Sequence, residues 1–353
     1  MSTLTPSPIT LVYHTSGDLQ IKLDLYLPPS AETNARLPAI VCYHGGALTI
    51  GDRSAGPLIG AWMIGQYICT PANPITNLVL TDMALANGIA FVSADYHLLY
   101  PCTGLTQLVD VCTLFKFLAR TDSLNLPGGV SIDPARIAVA GVSAGAYLAR
   151  LAALHANPRP CAVLSLWGMG GDWLLDHFLA VKTTPPPFKW AGPDAPADPP
   201  CGAVVAEDRA VLDPVSRTWT DELGRVGLFP LWWARGDFLD YLTGHHGLSA
   251  SLRARAPADR ESAIPVHLRI LFPQLLISAD FPPTMLVHGD ADVTVLVEES
   301  LRTHAQLLGA GVRCELCVVP GAEHGLRVGD AMAPGVEQIY ERAFRFVAKE
   351  LGV

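Results

Sequence analysis

Apolar positions along this chain follow two alternating rhythms. Short apolar runs at residues 19–26, 38–43, 89–94, 137–141, 162–167, 284–287 and 313–319 have the length and content of strands. Between them apolar residues recur at helical intervals. Leu108, Cys112, Phe115 and Ala119 stand four, three and four apart and predict one buried helix face. A second helix is expected from Ser143 through Leu154 and a third over residues 298–308. The last runs from Val336 to Leu351, with Val336, Tyr340, Ala343 and Val347 on its buried side. Strands alternating with helices predict an α/β fold, a mostly parallel central sheet flanked by helices.

Two stretches break the rhythm. Residues 49–74 are rich in glycine and apolar residues. Residues 172–281 carry proline-rich pieces, at 185–187 and 194–200, and the aromatic run Phe229-Pro230-Leu231-Trp232-Trp233. The second stretch is far longer than an ordinary connection and must hold structure of its own. It is expected to be a cap of helices and turns inserted into a single domain of residues 1–353.

Composition narrows the class. Half of the 353 residues are hydrophobic and 16% are charged, so the chain can bury a large core. The net charge of −9 argues against nucleic acid as the main partner, because phosphate contacts need clustered Lys and Arg. The N-terminus has neither a basic segment nor an apolar one after it, so no signal peptide is expected. No apolar run reaches about 18 residues, so no membrane span is expected. A cytoplasmic location follows as the default. Cysteines at 42, 69, 102, 112, 161, 201, 314 and 317 lack framework spacing. Cys314 and Cys317 lie three apart in a strand-like run, where their side chains point to opposite faces. Buried reduced thiols are expected there, and no metal site.

Four segments carry chemistry. Gly141-Val142-Ser143-Ala144-Gly145 joins the apolar run ending at Ala140 to a helical pattern. A nucleophilic serine needs this context: a sharp strained turn that raises its Oγ above the sheet, at a helix N-terminus that favours developing negative charge. His44-Gly45-Gly46-Ala47 follows a strand and lets the backbone approach a substrate, so that N–H groups can face an oxyanion. The N–H of Ala144 is expected to add a donor. His44 is expected to shape this loop by hydrogen bonding, with no part in proton transfer. His288-Gly289-Asp290-Ala291-Asp292 ends another strand and offers two carboxylates to orient a histidine. Asp292, farther into the loop, is preferred, and Asp290 is expected to bond nearby backbone N–H groups. Pro320-Gly321-Ala322-Glu323-His324-Gly325 supplies a base. Other histidines read as ordinary: His155 ends a helix, His304 lies on a helix face, and His245 and His246 sit in the cap. The order Ser143, Asp292, His324 is that of one serine-hydrolase fold and differs from the trypsin and subtilisin orders.

On His44-Gly45-Gly46, Asp95-Tyr96, Gly141-Val142-Ser143-Ala144-Gly145, His288-Gly289-x-x-Asp292 and His324-Gly325, the chain resembles the α/β-hydrolase superfamily. Within it the resemblance is to the hormone-sensitive-lipase-like carboxylesterases. The general style is similar to fungal α/β hydrolases, some attached to secondary metabolism. The resemblance spans nearly the whole chain outside the cap. It implies a triad of Ser143, Asp292 and His324, with oxyanion donors at the N–H groups of Gly46, Ala47 and Ala144, and Gly45 shaping the loop beside the substrate. Asp95 and Tyr96 are implied to be supports near that loop. Two departures stand out. The family usually has a third glycine where this chain has Ala47, whose N–H can donate if its φ is negative. The family's Asp-Tyr-Arg-Leu-Ala-Pro segment reads here Asp95-Tyr96-His97-Leu98-Leu99-Tyr100-Pro101.

The expected activity is hydrolysis of carboxylic esters with small to medium apolar groups, by two-step acyl transfer without metal or organic cofactor. The expected partner is a small-molecule ester, and a homodimer is left open. The cap aromatics Trp173, Trp190, Trp219, Phe229, Trp232, Trp233, Phe238 and Tyr241 either wall an apolar pocket or form the cap's own core. Trp232 and Trp233 join Gly45 as candidate substrate contacts. Rival readings on the same triad are an amidase, peptidase, lactonase or acyltransferase. A prolyl-oligopeptidase-type peptidase is disfavoured because the chain has no room for a propeller. Outside enzymology, the rivals are a ligand-binding or rearrangement protein on a hydrolase fold and a structural interaction protein. The intact serine and histidine favour an active enzyme.

Overall fold

A computed structural model describes residues 7–53, 80–183, 211–212, 219–220, 225–329 and 331–353. Its centre is an eight-stranded sheet: β1 Ile9–Ser16, β2 Leu19–Tyr26, β3 Arg36–Tyr43, β4 Ala90–Ala94, β5 Ser131–Val142, β6 Ala162–Leu166, β7 Thr284–Gly289 and β8 Cys314–Val319. The spatial order is β1-β2-β4-β3-β5-β6-β7-β8. β2 pairs antiparallel with β1 and with β4, and every later pairing is parallel.

The inner strands are apolar on both faces because helices cover both. Ala39, Val41 and Tyr43 of β3 enter one hydrophobic cluster, and Ile40 and Cys42 enter the other. α1 (Leu80–Ala86) and α9 (Val336–Leu351) close one face. α2 (Gly104–Leu118), α3 (Gly145–His155) and α8 (Val297–Gly309) close the opposite one. Cys314 lies in the first cluster and Cys317 packs against the second, the opposite-face placement that strand geometry requires. The six cysteines among the described residues are free; Cys69 and Cys201 lie outside them. No helix among the described residues is long and apolar enough to cross a membrane.

Four sequence expectations need correction. β1 was not expected; it is an edge strand with an alternating burial pattern, joined to β2 through a two-residue Gly17-Asp18 turn in which Gly17 has φ 60°. β5 starts six residues before the expected 137, because Ser131 and Ile132 pair with Arg36 and Leu37 ahead of a register shift. In α2, Leu108 and Phe115 are buried as expected. Cys112 is only half-buried and Ala119 is the C-cap, while Val111, Leu114 and the polar Gln107 and Asp110 complete the inward face. In α9, Tyr340 is half-buried and Phe344, Phe346 and Leu351 join Val336, Ala343 and Val347 inside.

Between β6 and β7 the chain forms α4 (Asp176–Leu179), α5 (Leu228–Arg235), α6 (Phe238–Thr243) and α7 (Leu248–Arg253), then a series of 3-10 turns. Trp173, Phe178, Phe229, Trp232 and Phe238 are fully buried there and continue the cluster over α2 and α3. The proline-rich pieces, Trp190, the side chain of Trp219 and most of residues 49–74 lie outside the described residues.

Candidate active site

Four loops meet at the C-terminal ends of β3, β5, β7 and β8. Ser143 follows β5 and precedes α3, with φ 52° and 4% exposure. A left-handed serine stores about 1–3 kcal/mol of strain, so the turn must be held on both sides. Ser143 N donates to Leu166 O at 2.9 Å, and Met169 N donates to Ser143 O at 2.9 Å. The flanking glycines answer steric need. A Cβ on Gly141 would lie 2.3 Å from Gly145 O, and one on Gly145 would lie 2.1 Å from Tyr43 O.

His324 and Asp292 follow β8 and β7. His324 Nε2 lies 3.0 Å from Ser143 Oγ, and its Nδ1 lies 2.7 Å from Asp292 Oδ2. Asp292 Oδ1 accepts from the N–H groups of Thr294 and Val295 at 2.9 and 3.0 Å. Burial acts to raise the pKa of this carboxyl. His324 and His288 together outweigh burial and hold it well below the usual carboxylate range. Asp290 turns away from the histidine. Its Oδ1 accepts from Gly321 N at 2.6 Å and so ties the acid loop to the base loop. The two loops touch so closely that a Cβ on Gly289 would lie 2.0 Å from Ala322 O.

The loop after β3 abuts Ser143. A Cβ on Gly45 would stand 3.2 Å from Ser143 Cβ. Gly46 has φ 109° and needs its missing side chain, since a Cβ would meet Ile50 O at 2.1 Å. Ala47 and Leu48 follow with φ 53° and 66°. Ala47 therefore lacks the negative φ on which donation by its N–H was made conditional: the turn is left-handed at two successive side-chain-bearing residues, each costing about 1–2 kcal/mol. Among the described residues, none accepts a hydrogen bond from the N–H groups of Gly46, Ala47 or Ala144.

Supports surround this loop. His44 is buried and stacks on Tyr96 with centroids 4.3 Å apart. Its Nδ1 donates to Gly45 O at 2.7 Å, and Tyr96 Oη donates to His44 O at 3.0 Å. Burial pushes the His44 pKa down, in keeping with a neutral structural ring. Asp95 accepts from Arg53 N and Nη1, both at 2.7 Å, and burial raises its pKa to about 6.

Trp232 and Trp233, on α5, lie elsewhere. Trp232 is fully buried and stacked on Tyr241 at 4.0 Å, beside Tyr100 and Phe238. Trp233 Nε1 donates to His177 Nε2 at 3.3 Å, and Lys182 Nζ sits 4.4 Å from its ring centre. Their rings pack among the aromatics of the segment between β6 and β7, and neither is in ring or hydrogen-bond contact with Ser143 or His324. His245 and His246 are exposed. Elsewhere, His14, His97 and Asp110 gather ligand-type atoms within 4.8 Å. Each imidazole Nδ1 is engaged with one oxygen of Asp110 at 2.7 Å, which makes this a hydrogen-bonded trio.

Sequence reasoning gave no role to two residues at the site. His288, at the end of β7, places Nε2 2.8 Å from Val295 O and 3.4 Å from Asp292 Oδ2, with Nδ1 2.7 Å from Ser300 Oγ. Its place beside the acid in the His-Gly-x-x-Asp run was the available signal. Arg225 carried none, since no motif or periodicity surrounds it.

Known proteins share this architecture. The BD-FAE family model matches residues 23–164, and the Prolyl oligopeptidase family model matches residues 273–353. Non-reducing polyketide synthase ausA of Penicillium brasilianum is 28% identical over 89% of this chain. Non-reducing polyketide synthase pkbA of Emericella nidulans is 23% identical over 97% of it. The chain spans only 13% and 14% of the lengths of those two relatives. Among solved structures, a bacterial heroin esterase superposes with a TM-score of 0.60 at 21% identity, covering 98% of this chain and 84% of that one. A Thermogutta terrifontis esterase with bound butyrate gives 0.56 at 17% identity, covering 99% and 94%. The strand order, the strand-to-helix turn that holds Ser143, and a fold shared with these esterases over nearly the full chain show that the chain has the α/β-hydrolase fold.

Proposed function

We propose that the chain is a serine hydrolase that cleaves carboxylic esters through an acyl-enzyme. One observation carries this reading: the continuous hydrogen-bonded line Ser143 Oγ, His324 Nε2, His324 Nδ1, Asp292 Oδ2, at 3.0 and 2.7 Å. His324 takes the Ser143 proton as Oγ bonds to the ester carbonyl carbon. Asp292 keeps the proton on Nδ1, so Nε2 faces the serine as a base, and stabilises the imidazolium that forms. The amides of Gly46 and Ala144 receive the oxyanion, joined by that of Ala47, which despite its left-handed φ donates to no group among the described residues. His324 then returns the proton to the leaving alcohol, and water cleaves the acyl-enzyme by the same steps. The described parts of residues 172–281 serve as a cap over this site. Small to medium apolar acyl groups are favoured, in line with the butyrate and propionate bound to one structurally similar esterase.

A second reading has its own support, the alignment with fungal polyketide synthases over most of this chain. Here the same serine would accept a polyketide-type acyl group, as an ester or thioester, and release it to water or an alcohol.

The test is turnover of p-nitrophenyl esters of increasing acyl length, with labelling by a fluorophosphonate. Ser143→Ala should abolish both. Asp292→Asn should lower kcat by about 10⁴-fold, whereas Asp290→Asn should stay within about tenfold of the parent. Strong preference for an aryl-ketide thioester over p-nitrophenyl butyrate would favour the second reading. A folded parent protein that neither turns over esters nor labels would sink the hydrolase reading.

A further inference from the structure

The left-handed pair Ala47 and Leu48 is held by more than its own turn. Inside the turn, Thr49 N and Ile50 N both donate to Gly46 O, at 2.9 and 3.0 Å. Those bonds close the loop and leave its placement against Ser143 to outside contacts. Two main-chain carbonyls of the turn point outward and are captured. Leu48 O accepts from Leu99 N at 2.6 Å. Thr49 O accepts from Arg225 Nε at 2.8 Å.

Arg225 does not stop at one carbonyl. Its Nη2 donates to Leu99 O at 2.6 Å and its Nη1 to Tyr100 O at 3.1 Å. One planar guanidinium therefore bonds both the oxyanion turn and the very segment that holds the turn's other carbonyl. The side chain is 3% exposed, so these bonds are made away from competing water. Arg225 belongs to the segment between β6 and β7, three residues before α5.

The geometry points to Arg225 as a positioning residue that fixes the oxyanion turn and couples it to the cap. This rests on the proposed serine-hydrolase reading. Strained backbone persists only where its surroundings over-determine it. Leu99 and Arg225 are the outside groups that bond the carbonyls of residues 48 and 49 among the described residues. Loss of Arg225 lets the turn relax, and the Gly46 and Ala47 amides then drift from the position of the oxyanion. Ground-state binding of the ester, which precedes that charge, changes little. Lysine is a weak substitute because its single ammonium cannot span three carbonyls in a plane.

The experiment compares the parent chain with Arg225→Lys and Arg225→Met. It measures kcat and KM for p-nitrophenyl butyrate, and the Ki of a trifluoromethyl ketone, which forms a reversible tetrahedral adduct. In Arg225→Met, kcat should fall about 10²-fold with KM within about threefold, and Ki should rise in step with the loss of kcat/KM. Arg225→Lys should recover part of both effects, and it serves as the informative variant if Arg225→Met does not fold. Parental kcat in a folded variant would overturn the proposal. So would a fall in kcat that leaves Ki unchanged, or a rise confined to KM. A parent chain inactive toward both reagents would overturn the hydrolase reading itself. An active parent, silenced by Ser143→Ala but indifferent to Arg225→Met, would overturn only the role of Arg225.

Discussion

Ala47 and Leu48 show how one backbone conformation gives opposite consequences at adjacent residues. Both occupy left-handed φ and both are fully buried. The alanine side chain is small, so Ala47→Gly chiefly removes the left-handed penalty of about 1–2 kcal/mol while adding about 0.5–1 kcal/mol of unfolded-chain entropy. The balance predicts a gain of about 0.5–1 kcal/mol. Leu48→Gly removes the same strain but empties a buried leucine site, a loss of about 2–5 kcal/mol. Urea denaturation of the two variants checks both signs, and a destabilised Ala47→Gly would show that the methyl group packs too well to lose. The same scale explains what the sequence revealed about the site. The convergence of Ser143, Asp292 and His324 was legible because their motifs encode steric needs, such as the close approach of Gly145 to Tyr43 O. The sign of φ at Ala47 was not legible, because the contacts that enforce it come from Leu99 and Arg225, far along the chain.

Helix α8 begins beneath the loop that follows β6, and its Glu299 is fully buried there. Glu299 Oε2 accepts from Gly171 N at 2.7 Å, and Gly171 has room for no side chain, since a Cβ would lie 2.3 Å from Glu299 O. Burial raises the Glu299 pKa to about 8, against the lowering effect of Arg150 and of three backbone N–H groups. The folded state thus holds a proton that the unfolded chain gives up near its ordinary pKa of 4.5. Stability from this group is full below about pH 4.5 and is lost as pH rises toward 8. Across that window the parent should lose about 2–4 kcal/mol from this source, and Glu299→Gln should not. Denaturation midpoints measured from pH 5 to 8.5 test this, and parallel profiles for the two chains would refute it. Elements such as α8 and α9 could be read from periodicity because their polar faces are exposed. α2 was misread at its edges for the converse reason: Gln107 and Asp110 point inward and break the apolar stripe. β1 escaped notice because an edge strand shows only alternation, although the Gly17-Asp18 turn was a usable signal.

At the scale of the molecule, the described residues between β6 and β7 share one core with α2 and α3. Trp173 packs on Tyr147 of α3 with ring centres 5.2 Å apart, and Tyr147 Oη donates to Leu271 O at 3.1 Å. The aromatic run was legible, but its destination was not, because composition does not say whether a ring faces a pocket or its neighbours. The opposite end of the sheet depends on polar ties instead. Asp110 of α2 receives His14 of β1 on Oδ1, and His97 Nδ1 and N on Oδ2, at 2.7, 2.7 and 2.8 Å. One fully buried carboxylate therefore joins the edge strand, the segment after β4 and a helix. Replacing it strands three donors at once, so Asp110→Ala should cost about 3–5 kcal/mol. His14 is partly exposed, and its loss leaves the His97 bonds intact, so His14→Ala should cost about 1 kcal/mol. The location of that cost is the sharper prediction. β1 touches the sheet on one side only, so His14→Ala should raise hydrogen exchange over residues 9–16 while the amides of α3 keep their protection. Equal loss of protection in β1 and α3 would mean that the edge strand unfolds only with the whole molecule, and that the trio is part of the global core and not a local fastening.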